Sequence, residues 1–222
     1  MLSSLFPACA AAVETRLDAS LDALLPEEAR SIERARAERM LEFRAGRHCA
    51  RRALSALGGA GPVLRAEDRS PVWPAGFVGS IAHTRERMDG WAGAVVARAA
   101  EVRSLGLDAE RDTPLEEKLW ERVLVPEERA DLARVAPEER GVLAKVVFSA
   151  KESFYKAQHP LSRTFLEFTD ARVTLDPASG TFALALLREA GPFPAGRVFE
   201  GRWARGAGLV VTSCVIPLAP GP

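Results

Sequence analysis

The residues best suited to chemistry fall in four short stretches. The first is Leu105-Gly106-Leu107-Asp108-Ala109-Glu110. In an extended chain residues i and i+2 point to the same side, so Asp108 and Glu110 present paired carboxylates at the end of an apolar run. Such a pair repels itself unless a cation or proton intervenes. Hard oxygen ligands of this kind suit Mg²⁺, which completes its shell with water and phosphate oxygens. The plain alternative is an exposed acidic pair. The second stretch is Phe148-Ser-Ala-Lys151-Glu152-Ser-Phe-Tyr155-Lys156. On a helix Glu152 and Lys156 share a face, and an exposed ion pair there contributes only about 0.3 kcal/mol. However, two of the four lysines in the chain lie here, among Val146, Val147, Phe148, Phe154 and Tyr155. A carboxylate held against apolar surroundings suits a metal ligand or a general base. The third stretch, Phe77 to Thr84, ends an apolar run at His83 and Thr84, an imidazole and a hydroxyl able to contact phosphate; an ordinary loop histidine is the alternative. The fourth is a helix face bearing Arg44, Arg47 and Arg51, either a set of phosphate partners or a solvated basic face.

These residues need elements to hold them. Residues 26–57 are expected to be helical, opened by Pro26 with Glu27 and Glu28 and stopped by Gly58-Gly59, with Gly46 dividing the stretch in two. Residues 60–76, rich in Gly and Pro, are expected to be loop. Strand character follows at 77–82, 91–98 and 102–107. Helices are expected over 114–158, starting at Pro114, Pro126 and Pro137, the last running to about 158. Strands return at 172–175, 181–187, 198–203 and 208–216, the first two flanking the turn at Asp176 to Gly180. The order helix, strand, helix, strand gives an α/β (α+β) chain of two halves, 1–102 and 103–222, with antiparallel hairpins. No residue-level repeat between the halves is evident, and Pro217 to Pro222 read as a frayed tail.

The chain has 222 residues, 47% of them hydrophobic, and 30 Lys+Arg balance 30 Asp+Glu. That length supports a sizeable core, and the neutral total disfavours a nucleic-acid coat or a polybasic membrane binder. Locally the charge is uneven: residues 30–52 hold eight Arg against three Glu, and residues 104–140 hold eleven acids against six bases. A basic first half and an acidic second half suit an anionic ligand and a divalent cation, or two solvated faces. Cys9, Cys49 and Cys214 have no metal or disulfide spacing. The start lacks a basic segment before Pro7, and no window suits a membrane-spanning helix, so a cytoplasmic protein is expected.

Taken together, the four stretches resemble the 4′-phosphopantetheinyl transferases of the larger, surfactin-type class, most closely the enterobactin-synthase component D branch. That family carries Gly-x-Asp-x-Glu, here Gly106 to Glu110, then [Trp/Phe]-[Ser/Cys]-x-Lys-Glu-x-x-x-Lys, here Phe148 to Lys156. The branch adds Gly-Arg-x-Cys-Ala-Arg-x-Ala-Leu, matched from Gly46 to Leu54, and a Pro-x-Trp-Pro segment ending in His, matched from Pro71 to His83. The resemblance implies a pseudo-dimer of two similar α/β halves with the active site in the cleft between them. It implies transfer of the phosphopantetheine arm of coenzyme A to a serine of an apo acyl or peptidyl carrier protein, releasing adenosine 3′,5′-bisphosphate. By position, Asp108, Glu110 and Glu152 hold Mg²⁺ (Mn²⁺ as an alternative), and Glu152 takes the serine proton, directly or through water. Lys156, and less centrally Lys151, neutralise phosphate charge. Arg47, Arg51, Arg69 and His83 grip the phosphates of coenzyme A. Thr84 stands in for the hydroxyl lost where Ala82 replaces the usual Ser/Thr. Residues 85–90 lengthen a connection that is usually tight.

Two rivals remain at this level. A Mg²⁺-dependent nuclease or phosphohydrolase assembles similar groups, although its Glu-x-Lys spacing on a strand differs from Glu152 and Lys156. A non-enzymatic nucleic-acid binder using residues 30–52 leaves the carboxylates unexplained, and the acidic half repels a long polyanion. With both halves in one chain, a monomer is expected, with no nucleic acid or membrane as partner.

Overall fold

The computed structural model describes residues 1–17, 20–86 and 89–219 and divides into two compact units, 2–105 and 106–216. In chain order the elements are β1 (Ala11–Arg16), α1 (Pro26–Ala29), α2 (Ala37–Ala56), β2 (Leu64–Arg65), β3 (Pro71–Val72), β4 (Phe77–Glu86), β5 (Asp89–Arg98) and β6 (Val102–Arg111). There follow α3 (Trp120–Val123), α4 (Pro126–Ala133), α5 (Pro137–Ser162), β7 (Ala171–Asp176), β8 (Thr181–Leu186), β9 (Val198–Gly206) and β10 (Leu209–Pro217). The mixed α/β class with antiparallel sheets matches the expectation from sequence.

The first unit packs α2 on an antiparallel sheet of order β1-β5-β4. Small side chains allow the close approach: Cys49, Ala50 and Ala53 of α2 meet Ala94 and Val96 of β5 in one buried cluster with Leu54 and Val63. Gly46 does not divide the helix. It lies inside α2, where an added Cβ would come within 2.8 Å of Ile81 Cγ2 on β4, so the glycine serves helix–sheet contact rather than termination. The expected helix over 26–57 is broken instead at 30–36, leaving α1 as a single turn. β1 was not anticipated, and residues 64–65 and 71–72 form a small hairpin inside the expected loop. Of the lengthened connection at 85–90, residues 87 and 88 lie outside the described residues, as does the end of the expected frayed tail at 220–222.

The second unit packs α4 and α5 on a five-stranded sheet of order β6-β10-β9-β8-β7. Its core joins Val146, Val147, Ala150 and Phe154 of α5 to Val173, Leu184, Phe199 and Val210. α5 opens as expected at Pro137, followed by Glu138 and Glu139. Pro114 opens no helix. β9 and β10 join through Ala207 and Gly208, at φ 52° and 75°, the two positive values a tight hairpin turn of this hand needs. Among the described residues no helix is long and apolar enough to cross a membrane.

Candidate active site

In the second unit the site is built where β6 lies against α5. At Gly106 an added Cβ would stand 1.8 Å from the Ser153 carbonyl oxygen, so only glycine admits this approach of helix backbone to strand. Two residues further along β6, Asp108 is brought to α5. Its Oδ1 lies 2.7 Å from Lys156 Nζ, and its Oδ2 accepts a 2.7 Å hydrogen bond from Ser149 Oγ. Thr212 on β10 donates to the Ser149 carbonyl at 2.8 Å, holding that turn of α5 against the sheet. Glu110, next on the same side of β6, lies 3.5 Å from Lys145 Nζ. Lys145, Ser149, Glu152 and Lys156 follow the four, three, four spacing of one helix face. Lys145 and Ser149 belong to the site by contact, although sequence reasoning assigned them no role there. The face spacing was the signal that could have included them.

The charge of Asp108 acts on both glutamates. Glu152 is held above the ordinary glutamate range, first by burial and next by the charge of Asp108, with Lys156 opposing and Glu110 adding to the rise. Glu110 is raised by burial and by Asp108, against the pull of Lys145 and Lys156. Two glutamates raised by burial and by the charge of one aspartate make, with it, three hard oxygen donors of the kind a divalent cation stabilises, so their chemistry fits such an ion. Among the described residues, no three His, Cys, Asp or Glu side chains are already gathered into a ligand cage. Lys156 on Asp108 and Lys145 on Glu110 supply the compensating positive charge instead. Beside Glu152 a cavity of about 210 Å³ is largely apolar, walled by Phe154, Tyr155, Phe165 and Phe168, with the charged Arg122, Lys151 and Glu167 also on its lining.

Lys151 lines this cavity, but its ammonium is not brought to the carboxylate face. Its ammonium is buried and donates to Glu128 Oε2 at 2.8 Å and to the Val123 carbonyl at 2.8 Å. Burial pushes the Glu128 carboxyl up and the Lys151 ammonium down, and each group is the chief influence opposing the shift of the other. Glu128 was missed from the sequence because its partner lies 23 residues away.

In the first unit the arginine face of α2 is largely turned to the protein's own backbone. Arg44 bonds the carbonyls of Leu21 and Asp22. Arg47 donates to Val63 O at 2.7 Å and Leu64 O at 3.1 Å and lies 4.0 Å over the Phe43 ring. Burial lowers its pKa to about 10, so it stays charged at neutral pH. Arg51 pairs with the buried Glu28 and donates to Ala23 O at 2.7 Å. The residue that does meet His83 is Arg39, missed from the sequence: its Nη1 is 2.7 Å from His83 Nε2 and 3.1 Å from Glu42 Oε2. Since the guanidinium can only donate, His83 accepts at Nε2 and carries its proton on Nδ1, which faces Glu42 Oε2 at 3.8 Å. β4 pairs with β5 in unbroken register, so Ala82 and Thr84 face one side and His83 the other. Thr84 therefore does not join His83. Arg69 is exposed in the turn between β2 and β3, at φ 71°.

Comparison with known proteins agrees across both units. Residues 27–97 match the family model described as the 4′-phosphopantetheinyl transferase N-terminal domain, and residues 104–204 match the 4′-phosphopantetheinyl transferase superfamily. The chain is 42% identical over an alignment of 229 positions to 4′-phosphopantetheinyl transferase Svp of Streptomyces mobaraensis, covering all of this chain and 91% of that protein. It is 39% identical over 199 residues to 4′-phosphopantetheinyl transferase PptT of Mycobacterium tuberculosis, covering 86% of each. It is 34% identical over 199 residues to 4′-phosphopantetheinyl transferase Npt of Nocardia iowensis, covering 85% of this chain and 87% of that one. The chain belongs to the 4′-phosphopantetheinyl transferase superfamily, enzymes that move the phosphopantetheine arm of coenzyme A onto carrier proteins.

Proposed function

We propose that Asp108, Glu110 and Glu152 form the metal-holding face of this transferase and that Glu152 also receives the proton of the carrier serine. The observation that carries this reading is Asp108, held between Lys156 and Ser149 while its charge raises both Glu110 and Glu152. When bound there, Mg²⁺ supplies positive charge to the pyrophosphate oxygens of coenzyme A. In the reaction the serine oxygen bonds to the phosphorus bearing the pantetheine arm. The bond from that phosphorus to the oxygen of the departing nucleotide breaks, and adenosine 3′,5′-bisphosphate leaves. A serine hydroxyl needs a base at neutral pH, and a glutamate raised by burial and like charge has more affinity for the proton than an ordinary one. Lys156 stabilises charge that grows on the phosphate oxygens. The apolar cavity beside Glu152 receives the pantetheine arm.

We assign recognition of the coenzyme A phosphates to Arg39 and His83, with Arg47 adding buried positive charge and Arg69 available from its exposed turn. Arg51 is committed to Glu28 and Thr84 faces away from His83, so neither enters this assignment. The motifs at 46–54 and 71–83 favour the surfactin-type class and the enterobactin-synthase component D branch, hence carriers of siderophore, nonribosomal peptide or polyketide assembly. A monomer acting in the cytoplasm suits that work. The test is to incubate the protein with coenzyme A, Mg²⁺ and several apo carrier domains and to weigh the carriers. A phosphopantetheine mass gain on a serine is expected, and its absence on every carrier contradicts the reading.

A further inference from the structure

The two units contain the same buried device. In the first, Glu28 is wholly buried. Its Oε2 accepts the Leu25 N–H at 3.0 Å, its Oε1 accepts the Val63 N–H at 3.0 Å, and Arg51 of α2 pairs with it. In the second, Glu128 Oε2 accepts the Val125 N–H at 2.8 Å, Oε1 accepts the Val173 N–H at 2.6 Å, and Lys151 of α5 pairs with it at 2.8 Å. In both, the acid is the third residue of a helix opened by proline and folds back on the residue before that proline. In both, the cation lies 23 residues further on, in the long helix. The devices share a constant offset of 100 residues: Leu24-Leu-Pro-Glu-Glu28 and Leu124-Val-Pro-Glu-Glu128 agree at four of five positions, whereas Cys49-Ala-Arg-Arg-Ala-Leu54 and Ser149-Ala-Lys-Glu-Ser-Phe154 agree only at the alanine. What repeats is the geometry of the buried acid and its cation, with sequence identity confined to the Leu-x-Pro-Glu-Glu start.

We infer that Glu128 and Lys151 are positioning residues: their buried pair fixes the rotation of α5 and thereby aims Ser149 and Glu152 towards Asp108. Lys151 immediately precedes Glu152, and its ammonium ties α5 to the Val123 carbonyl of α3 and, through Glu128, to the start of α4 and to Val173 of β7. Apolar packing alone is non-directional and leaves a helix some freedom to turn about its axis. A set of directional bonds one residue from Glu152 removes that freedom. Glu28 and Arg51 do the same for α2, which carries Arg39 and Arg47. The inference rests on the assignment of Asp108 and Glu152 to the transfer site.

A double-mutant cycle on the full chain tests it, with kcat, the KM for coenzyme A and the folded fraction measured together. E128Q and K151M should each lower kcat by about 100-fold, the cost of small misplacement at a reacting centre, while KM for coenzyme A stays within about threefold. Their losses should be far from additive, the double variant being no worse than K151M. K151R, which installs the cation of the first unit, should recover kcat to within about fivefold of wild type. If K151M fails to fold because Glu128 is left buried and unpaired, E128Q/K151M and K151R leave no such charge and carry the test. Near-wild-type kcat in folded E128Q, or additive losses, overturns the positioning role and makes Lys151 a direct contact. An inactive wild type overturns the site assignment and the positioning role with it; an active wild type with a fully active E128Q overturns only the latter.

Discussion

At Asp108 three demands meet: it balances Lys156, accepts from Ser149, and raises the proton affinity of two neighbouring glutamates. Removing either Asp108 or Glu152 should therefore cost far more activity than their surface area suggests. D108A and E152Q are each expected to lower kcat/KM by about 100-fold or more, read by carrier mass gain against time. The same charges set a stability cost. The folded-state pKa of Glu152 lies above its ordinary 4.5, so its stabilising contribution is full below that value and is lost as pH rises through the raised one. At pH 7.5 without metal, E152Q should therefore melt above wild type although it is inactive; a lower Tm contradicts the repulsion. Cysteine chemistry separates by burial in the same way. The buried thiols of Cys49 and Cys214 are pushed up to about 12, whereas Cys9 is partly exposed. In the native protein iodoacetamide at pH 8 should label Cys9 alone, and denaturation should release the other two.

At the scale of elements, the placement of Asp108 depends on one contact, β6 against α5 at Gly106. G106A would drive a methyl into the Ser153 carbonyl, and strand and helix must part. A loss of about 3 kcal/mol, the upper end of overpacking costs, is expected in denaturant melts together with loss of activity. Near-wild-type stability would mean that the helix can shift freely. This scale also shows what was legible from sequence. The motifs around Asp108, Glu110, Glu152 and Lys156 were readable because their spacings, two on a strand and four on a helix, are local. The fate of Lys151 was not, since its partner arrives from α4, and Arg51 was hidden in the same way by Glu28. The periodicity of Arg44, Arg47 and Arg51 was visible, but not that backbone carbonyls at 21–23 and 63–64 receive them. Gly46 was misread because a glycine that admits Ile81 has the same letter as one that ends a helix.

For the molecule as a whole, the zero net charge conceals a division of labour. The family match spans both units, the basic stretch at 30–52 belongs to the first, and the carboxylate face belongs to the second. Three of the eight arginines in the basic stretch, Arg44, Arg47 and Arg51, are spent on the protein's own carbonyls and on Glu28, while Arg39 meets His83. Metal binding should stabilise the whole chain, because an ion that binds only the folded state adds to its stability. Protons compete for Glu110 and Glu152, both raised above the ordinary range, so the Mg²⁺-induced rise in Tm should be larger at pH 8 than at pH 5.5. A rise of equal size at both values would place the ion on other ligands.

The most direct measurement is intact-mass analysis of an apo carrier after incubation with coenzyme A, Mg²⁺ and either wild-type protein or E152Q. Phosphopantetheine should appear on the carrier serine with wild type and be nearly absent with E152Q under the same conditions. Full modification by E152Q would contradict the role given to Glu152, and with it the assembly of Asp108, Glu110 and Glu152 into one reacting face.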